Sequence, residues 1–267
     1  MALIHDVVSD LTAASVELDD LVAGLDVKEW ARSTPAPGWT IAHQIAHLAD
    51  TDRAAALAAT DPAGFAEVLV EAMTNLDGFV DEAAAQGAQQ APSRILDEWR
   101  NARNNLAQAL FEVPDGVKIP WFGPPMSATS MATARLMETW AHGLDIADAL
   151  GVQMPQTDRI KAVVHIGVRT RDFAYVVNGK TPPAEPFRFE LVAPSGARWT
   201  WGPPEATDIV RGPAVDFCEL VTQRRNLADL NLEITGADAR AWSQIAQCFA
   251  GPAGAGREPT ALGDAPR

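Results

Sequence analysis

Cysteine is scarce. The 267 residues hold only Cys218 and Cys248, too few for a disulfide framework and in keeping with a reducing cytoplasm. Basic charge is scarce too: 21 Lys and Arg stand against 35 Asp and Glu, a formal net charge of −14. The chain therefore lacks the basic footprint that nucleic acid or an anionic membrane surface demands. It has no uncharged apolar run of about 18 residues, so no transmembrane helix is expected. The opening Met1-Ala2-Leu3-Ile4-His5-Asp6 offers neither a basic n-region nor a long apolar h-region. The expectation is a cytoplasmic protein with a small-molecule partner, and no nucleic-acid or membrane partner. No internal repeat stands out. What remains is 47% hydrophobic and 21% charged, an ordinary globular balance. At roughly 150 residues per domain, the length allows one large domain or two modest ones.

The first half reads as helices. Val7, Val8, Leu11, Val16, Leu18 and Leu21 recur near the 3.6 period over residues 3–24. Ser33-Thr34-Pro35-Ala36-Pro37-Gly38 then stops any helix. Thr40 is placed to cap a helix over about 41–60, which Asp61-Pro62 ends. Helical sequence follows over about 64–85 and 92–113, then a Pro- and Gly-rich loop over 114–126. Ser127 or Thr129 caps a further helix over about 130–150, closed by Gly151 and Pro155. Short joints between such helices suit a bundle.

The second half changes grammar. A helix over about 157–177 precedes Phe187, Phe189 and Leu191 alternating with Arg188 and Glu190, a period-2 strand. Pro194-Ser195-Gly196 turns the chain into a second strand at Arg198–Trp201, and short helices are expected over about 213–225 and 237–250. The boundary between an all-α part and an α+β part falls near 151–157.

Histidine spacing carries the chemistry. There are five His in the chain, and His43 and His47 stand four apart, sharing a helix face. Arg135, Glu138, His142 and Asp145 follow at steps of three, four and three, a polar stripe opposite Leu136, Met137, Trp140 and Leu144. A carboxylate and imidazoles projecting from facing bundle helices can hold a divalent ion with one position open. The competing reading of such a stripe is a plain solvated face. Trp39 and the 114–126 loop, with Trp121 and Phe122, are placed to wall a pocket. His165 reads as a core or interface histidine and His5 as solvent-exposed. Cys218 and Cys248 lie in apolar helical runs and read as small buried hydrophobes.

The stretch Pro37-Gly38-Trp39-Thr40-Ile41-Ala42-His43-Gln44-Ile45-Ala46-His47-Leu48 resembles the start of the second helix in the mycothiol-dependent maleylpyruvate isomerase family. That family belongs to the DinB-like group of metal-binding four-helix bundles. Glu138-Thr139-Trp140-Ala141-His142-Gly143-Leu144-Asp145-Ile146 resembles its last bundle helix. The resemblance covers about residues 5–250 and is nearest to an actinobacterial metal-binding subgroup with Trp121-Phe122-Gly123-Pro124-Pro125-Met126 before that helix. It implies a mainly α fold: a DinB-like four-helix bundle over 1–152, a smaller C-terminal α+β domain over 153–252, and a flexible tail over 253–267.

The same resemblance implies a zinc ion held by His47, Glu138 and His142. It makes His43 a pocket residue on the cofactor side and Asp145 an orienter of a ligand or of the helix end. Glu219-Leu220-Val221-Thr222-Gln223-Arg224 resembles a Leu-x-Gly-Arg helix end whose Arg faces the active site. Gln223 stands where Gly is usual, and Arg225 is the alternative to Arg224. The implied chemistry is thiol addition to an activated double bond, rotation and elimination, with mycothiol as the thiol and zinc lowering its pKa. Two other classes stay open on the residues alone. One is a zinc-hydroxide hydrolase with Asp50 or Asp145 as base; the other is a non-catalytic metal- or small-molecule-binding module.

Overall fold

A computed structural model describes residues 2–75 and 78–260. It divides into two compact units, Met1–Met154 and Pro155–Arg267. Seven helices of the first unit are α1 (Ala2–Val22), α2 (Val27–Trp30), α3 (Ile41–Thr60), α4 (Pro62–Thr74), α5 (Phe79–Gly87), α6 (Pro92–Glu112) and α7 (Ala128–Leu150).

The four long helices, α1, α3, α6 and α7, form the bundle: α3 packs on α6 and α7, and α1 on α7 and α6. The core gathers Leu18, Val22, Trp30, Ile41, Ile45, Leu48, Ile95, Trp99 and Ile146. In α1 the inward stripe is Val8, Leu11, Leu18 and Val22, whereas Val16, expected inside, is 47% exposed. Val16 sits two residues from Leu18, about 200° around the helix and so on its far side.

Local chemistry sets the ends. Asp61 closes α3 and accepts a 3.0 Å hydrogen bond from Gly64 N–H, while Pro62 opens α4 at a position where proline costs nothing. Ser127, not Thr129, caps α7 by accepting from Ser130 N–H at 3.2 Å. Gly151 ends it in the left-handed region at φ 69°. The helix expected over 64–85 is two, because Asn75 leaves helical geometry at φ −147°, ψ 63° and its side chain accepts from Gly78 N–H. Two charged contacts tie the long helices together. Asp19 of α1 receives both Arg100 (2.6 Å) and Arg103 (2.6 Å) of α6, and Asp52 of α3 receives Arg135 of α7 at 2.8 Å.

The second unit carries α8 (Lys161–Arg169), α9 (Arg171–Val177), β1 (Arg188–Val192), β2 (Arg198–Trp201), β3 (Ile209–Pro213), α10 (Ala214–Val221), β4 (Glu233–Thr235) and α11 (Ala237–Ser243). The helix expected over 157–177 breaks at Thr170, whose hydroxyl takes the Ile166 carbonyl at 2.8 Å. The sheet order is β2-β1-β3-β4, with β1 antiparallel to β2 and parallel to β3. Phe187, Phe189, Phe217 and Trp242 pack together beneath it. His165, expected in a core or interface, is exposed within this unit. Of the expected tail, residues 261–267 lie outside the described residues. The part before them is held down: Asn226 Nδ2 donates to Arg257 O at 2.7 Å, and Thr260 N–H donates to Asp229 at 2.9 Å.

Candidate metal centre

The segment that stops α2 also builds the wall of the site. Trp39 N–H donates to Ala36 O at 3.0 Å across Pro37 and Gly38. With Gly38 at φ 78°, this is a type II turn, which wants Pro first and a left-handed Gly second. Thr34 N–H donates back to Trp39 O at 2.8 Å, closing the loop on itself. Thr40 then stands extended before α3.

His43 occupies the third position of α3, and its Nδ1 accepts from Thr40 N–H at 3.3 Å and meets Thr40 Oγ1 at 2.8 Å. That nitrogen is an acceptor, so the ring proton lies on Nε2. Burial holds the His43 imidazole below its ordinary pKa, against the opposing pull of Asp81.

One turn further, His47 meets the polar stripe of α7. That stripe is not a solvated face. Arg135 is 2%, Asp145 1% and His142 7% exposed, while Leu136, Met137, Trp140 and Leu144 are buried as well. His47, Glu138 and His142 each offer a ligand atom, and these atoms all lie within 4.8 Å of one another. The two imidazole rings are 4.7 Å apart, centroid to centroid. His142 Nε2 and Glu138 Oε2 are 3.1 Å apart, and His142 Nδ1 is hydrogen-bonded to Gln44 Oε1. Burial alone would raise the Glu138 carboxyl. His142 beside it, with Arg135 and His47, brings it down to about 2 instead.

Trp39 roofs this group. Its indole stacks over His142 at 6.0 Å and 16°, meets His47 edge-on at 5.3 Å, and donates Nε1–H to Asp81 of α5 at 2.8 Å. Two imidazoles and one ionised carboxylate, preformed and half shielded from water, fit a divalent cation and match the donor set that zinc takes with three protein ligands. The 114–126 loop is pinned by Ile119 and Met126, which exchange backbone hydrogen bonds at 2.7 and 2.9 Å. Its Trp121 stacks on Phe65, and Phe122 meets the same ring edge-on.

Asp50 is turned to Arg53 at 2.7 Å on the surface of α3, and Asp145 is buried within α7. Arg224 and Arg225 belong to the second unit, directly after α10. Gln223, expected from the resemblance to stand at a glycine position, adopts φ 57°, the left-handed conformation that favours glycine. Arg224 N–H reaches Glu219 O at 2.8 Å and Gln223 N–H reaches Leu220 O at 3.0 Å. That is the paired closure of a Schellman helix end. The residue departs from the pattern while the backbone keeps it.

Sequence reasoning missed Gln44, Thr34 and Asp81. Gln44 stands three positions before His47, on an adjoining face of the helix, a spacing that flags it once His47 is taken as a ligand. Nothing in the sequence marks Asp81.

Residues 11–147 match the family model for the mycothiol maleylpyruvate isomerase N-terminal domain. Residues 183–232 match a model described as wyosine base formation. Two uncharacterized proteins of Mycobacterium tuberculosis are relatives, one from strain CDC 1551 / Oshkosh and one from strain ATCC 25618 / H37Rv. Each is 59% identical over 250 residues, 94% of this chain and 97% of its own. Among solved structures, mycothiol-dependent maleylpyruvate isomerase is similar at a TM-score of 0.56 and 17% identity, over 83% of this chain and 89% of that one. A histidine-to-alanine mutant of it gives 0.58 and 16%, over 86% and 92%. At such identities the likeness is one of fold.

Proposed function

Because the chain belongs to the mycothiol maleylpyruvate isomerase family, we propose that it is a metal-dependent, thiol-using enzyme whose centre is His47, Glu138 and His142. The observation that carries this reading is the meeting of two stretches 91 positions apart, from Glu138 back to His47, with ligand atoms within 4.8 Å on a helix face largely shielded from water. Zinc, the ion proposed, would leave a fourth position open and lower the pKa of a thiol or polarise a carbonyl there without redox chemistry.

The chain's own residues supply the rest. Glu138 stays ionised at any ordinary pH and offsets the cation's charge. Trp39 covers the imidazoles and excludes water from one side. His43 keeps its Nδ1 on Thr40, which leaves Nε2–H as the donor it offers a bound thiol or substrate. Cys218 and Cys248 are both buried, and burial pushes the Cys218 thiol well up, so the reacting sulfur comes from outside. Mycothiol, on which the enzyme of the similar solved structures depends, is the thiol proposed. Arg224, or Arg225 beside it, is assigned to a substrate or thiol carboxylate, for which a guanidinium's paired donors suit better than lysine.

The test is metal analysis of wild type beside His47→Ala and Glu138→Ala, with a mycothiol titration of the same samples. Wild type should hold one equivalent and gain thermal stability with mycothiol only when loaded. Each truncation should lose the metal, because no packing replaces a missing ligand. Equal stoichiometric metal in all three proteins would remove the proposed centre.

A further inference from the structure

Gln44 is fully buried and binds to both sides of the centre. Its Nε2 donates to Thr34 Oγ1 at 2.9 Å. The Thr34 hydroxyl has one hydrogen, and that hydrogen goes to Trp39 O at 3.1 Å. The Thr34 oxygen therefore accepts from Gln44, and this decides which end of the amide faces α7. It is the oxygen, Oε1, that meets Nδ1 of His142. An amide oxygen only accepts, so Nδ1 carries the ring proton and the neutral ring keeps its lone pair on Nε2. That nitrogen is the one directed at Glu138 Oε2, 3.1 Å away. Two lone pairs facing each other at this distance repel unless a positive charge stands between or beside them. The start of the relay is rigid, since Thr34 sits on the loop closed by the Pro37-Gly38 turn.

The geometry points to Gln44 as the positioning residue of the metal centre: anchored by Thr34, it fixes His142 in the Nδ1–H tautomer and reserves Nε2 for a divalent cation. The inference rests on the reading of His47, Glu138 and His142 as metal ligands. Without Gln44, a neutral ring beside Glu138 would place its proton on Nε2 and donate it to the carboxylate. The ligand nitrogen would become a hydrogen-bond donor. Partners of this kind typically change metal affinity by about 10–100-fold.

Three proteins test it: wild type, Gln44→Met and Gln44→Glu. Methionine keeps the length and removes both amide contacts, whereas glutamate keeps an acceptor towards Nδ1. Zinc affinity is read by competition with a chelating indicator. The position of the His142 ring proton is read by nitrogen-15 NMR of the neutral ring in the metal-free protein. Gln44→Met should bind zinc about 10–100-fold more weakly and show the proton on Nε2. Gln44→Glu should return both readouts towards wild type, which shows it on Nδ1. A ring proton on Nε2 in wild type, or one that stays on Nδ1 in Gln44→Met, overturns the assignment whatever the affinity does, because a packing role would lower affinity without moving the proton. A wild type that takes up no zinc refutes the metal reading alone, and the NMR result still decides the relay.

Discussion

Arg135→Met isolates the brace between the two helices that carry the candidate ligands. Arg135 Nε donates to Asp52 Oδ1 at 2.8 Å and Nη2 to Thr51 Oγ1 at 2.7 Å, and both charged side chains are almost wholly buried. Burial already pushes the Asp52 carboxyl above its ordinary value, with Arg135 pulling against it. Remove the guanidinium and the carboxyl must take up a proton to remain inside. Holding it neutral at pH 7 costs about 1.4 kcal/mol for each unit above its ordinary 3.8, so about 4 kcal/mol. The general cost of orphaning one member of a buried pair is similar, about 3–5 kcal/mol. At pH 5 the same reasoning leaves about 2 kcal/mol. The sign follows from proton counts: the folded variant holds a proton that the unfolded chain has released, so stability falls as pH rises. The reference is Arg135→Met with Asp52→Asn, which has the same volume and no charge to neutralise. Urea unfolding of both should show the single variant weaker by about 4 kcal/mol at pH 7, a midpoint about 8–16 °C lower on heating. The gap should halve by pH 5. A gap that is flat with pH, or a double variant no more stable than the single, would refute the reasoning.

The clasp between α1 and α6 should show the opposite sign. Arg100, through its hydrogen bond, and Arg103 hold the Asp19 carboxyl below its ordinary 3.8 against the effect of burial. The stability it contributes is present above that value and is lost as pH falls through the lower folded value. Asp19→Asn should cost about 2 kcal/mol at pH 7 and nothing at the acid end, read by denaturant titration across pH. Trp39 lies within 6.0 Å of the His142 ring, so loading with nickel or copper should quench part of the tryptophan fluorescence. Trp39→Phe should lose that part, and quenching unchanged in the variant would place the ion elsewhere. Both buried thiols should ignore a thiol reagent in the native protein and react with two equivalents once unfolded. Reaction in the native state would count against an external sulfur.

Much of the bundle was legible because its signals are local. Thr40, Asp61-Pro62, Ser127 and Gly151 act on the backbone within a few residues, and each sets a helix end where its chemistry requires. The break at Asn75 was not legible, since alanine-rich sequence on both sides propagates a helix by propensity alone and the interruption rests on one side chain turning back on Gly78. β3 and β4 were missed for a different reason. Ile209–Pro213 and Glu233–Thr235 lack any alternating pattern of useful length; β3 is a strand because β1 offers it an edge and β4 because β3 does, contacts the local sequence cannot encode.

The site divides the same way, and the division says what kind of information it contains. Spacing placed Glu138 and His142 on one helix face and His43 and His47 on another, but spacing could not choose between an inward stripe and a solvated one. The choice is made by what surrounds α7: a helix whose apolar residues and polar stripe are both buried has no solvated face on which to leave its polar residues. Arg135 goes to Asp52, His142 to Gln44, and Glu138 to the charges about it, so these three polar groups of the stripe are matched by partners from α3 or by a neighbour on α7 itself. Those partners recur at intervals of eight, Gln44 and Asp52, on the helix that also carries His47, whereas the ligand-type residues recur at four. A buried glutamine has two N–H donors and an accepting oxygen to satisfy. Here Gln44 is held from behind by a turn whose Pro37 and Gly38 fix its shape, a degree of constraint that packing does not require and that holding one nitrogen's lone pair towards an incoming cation does.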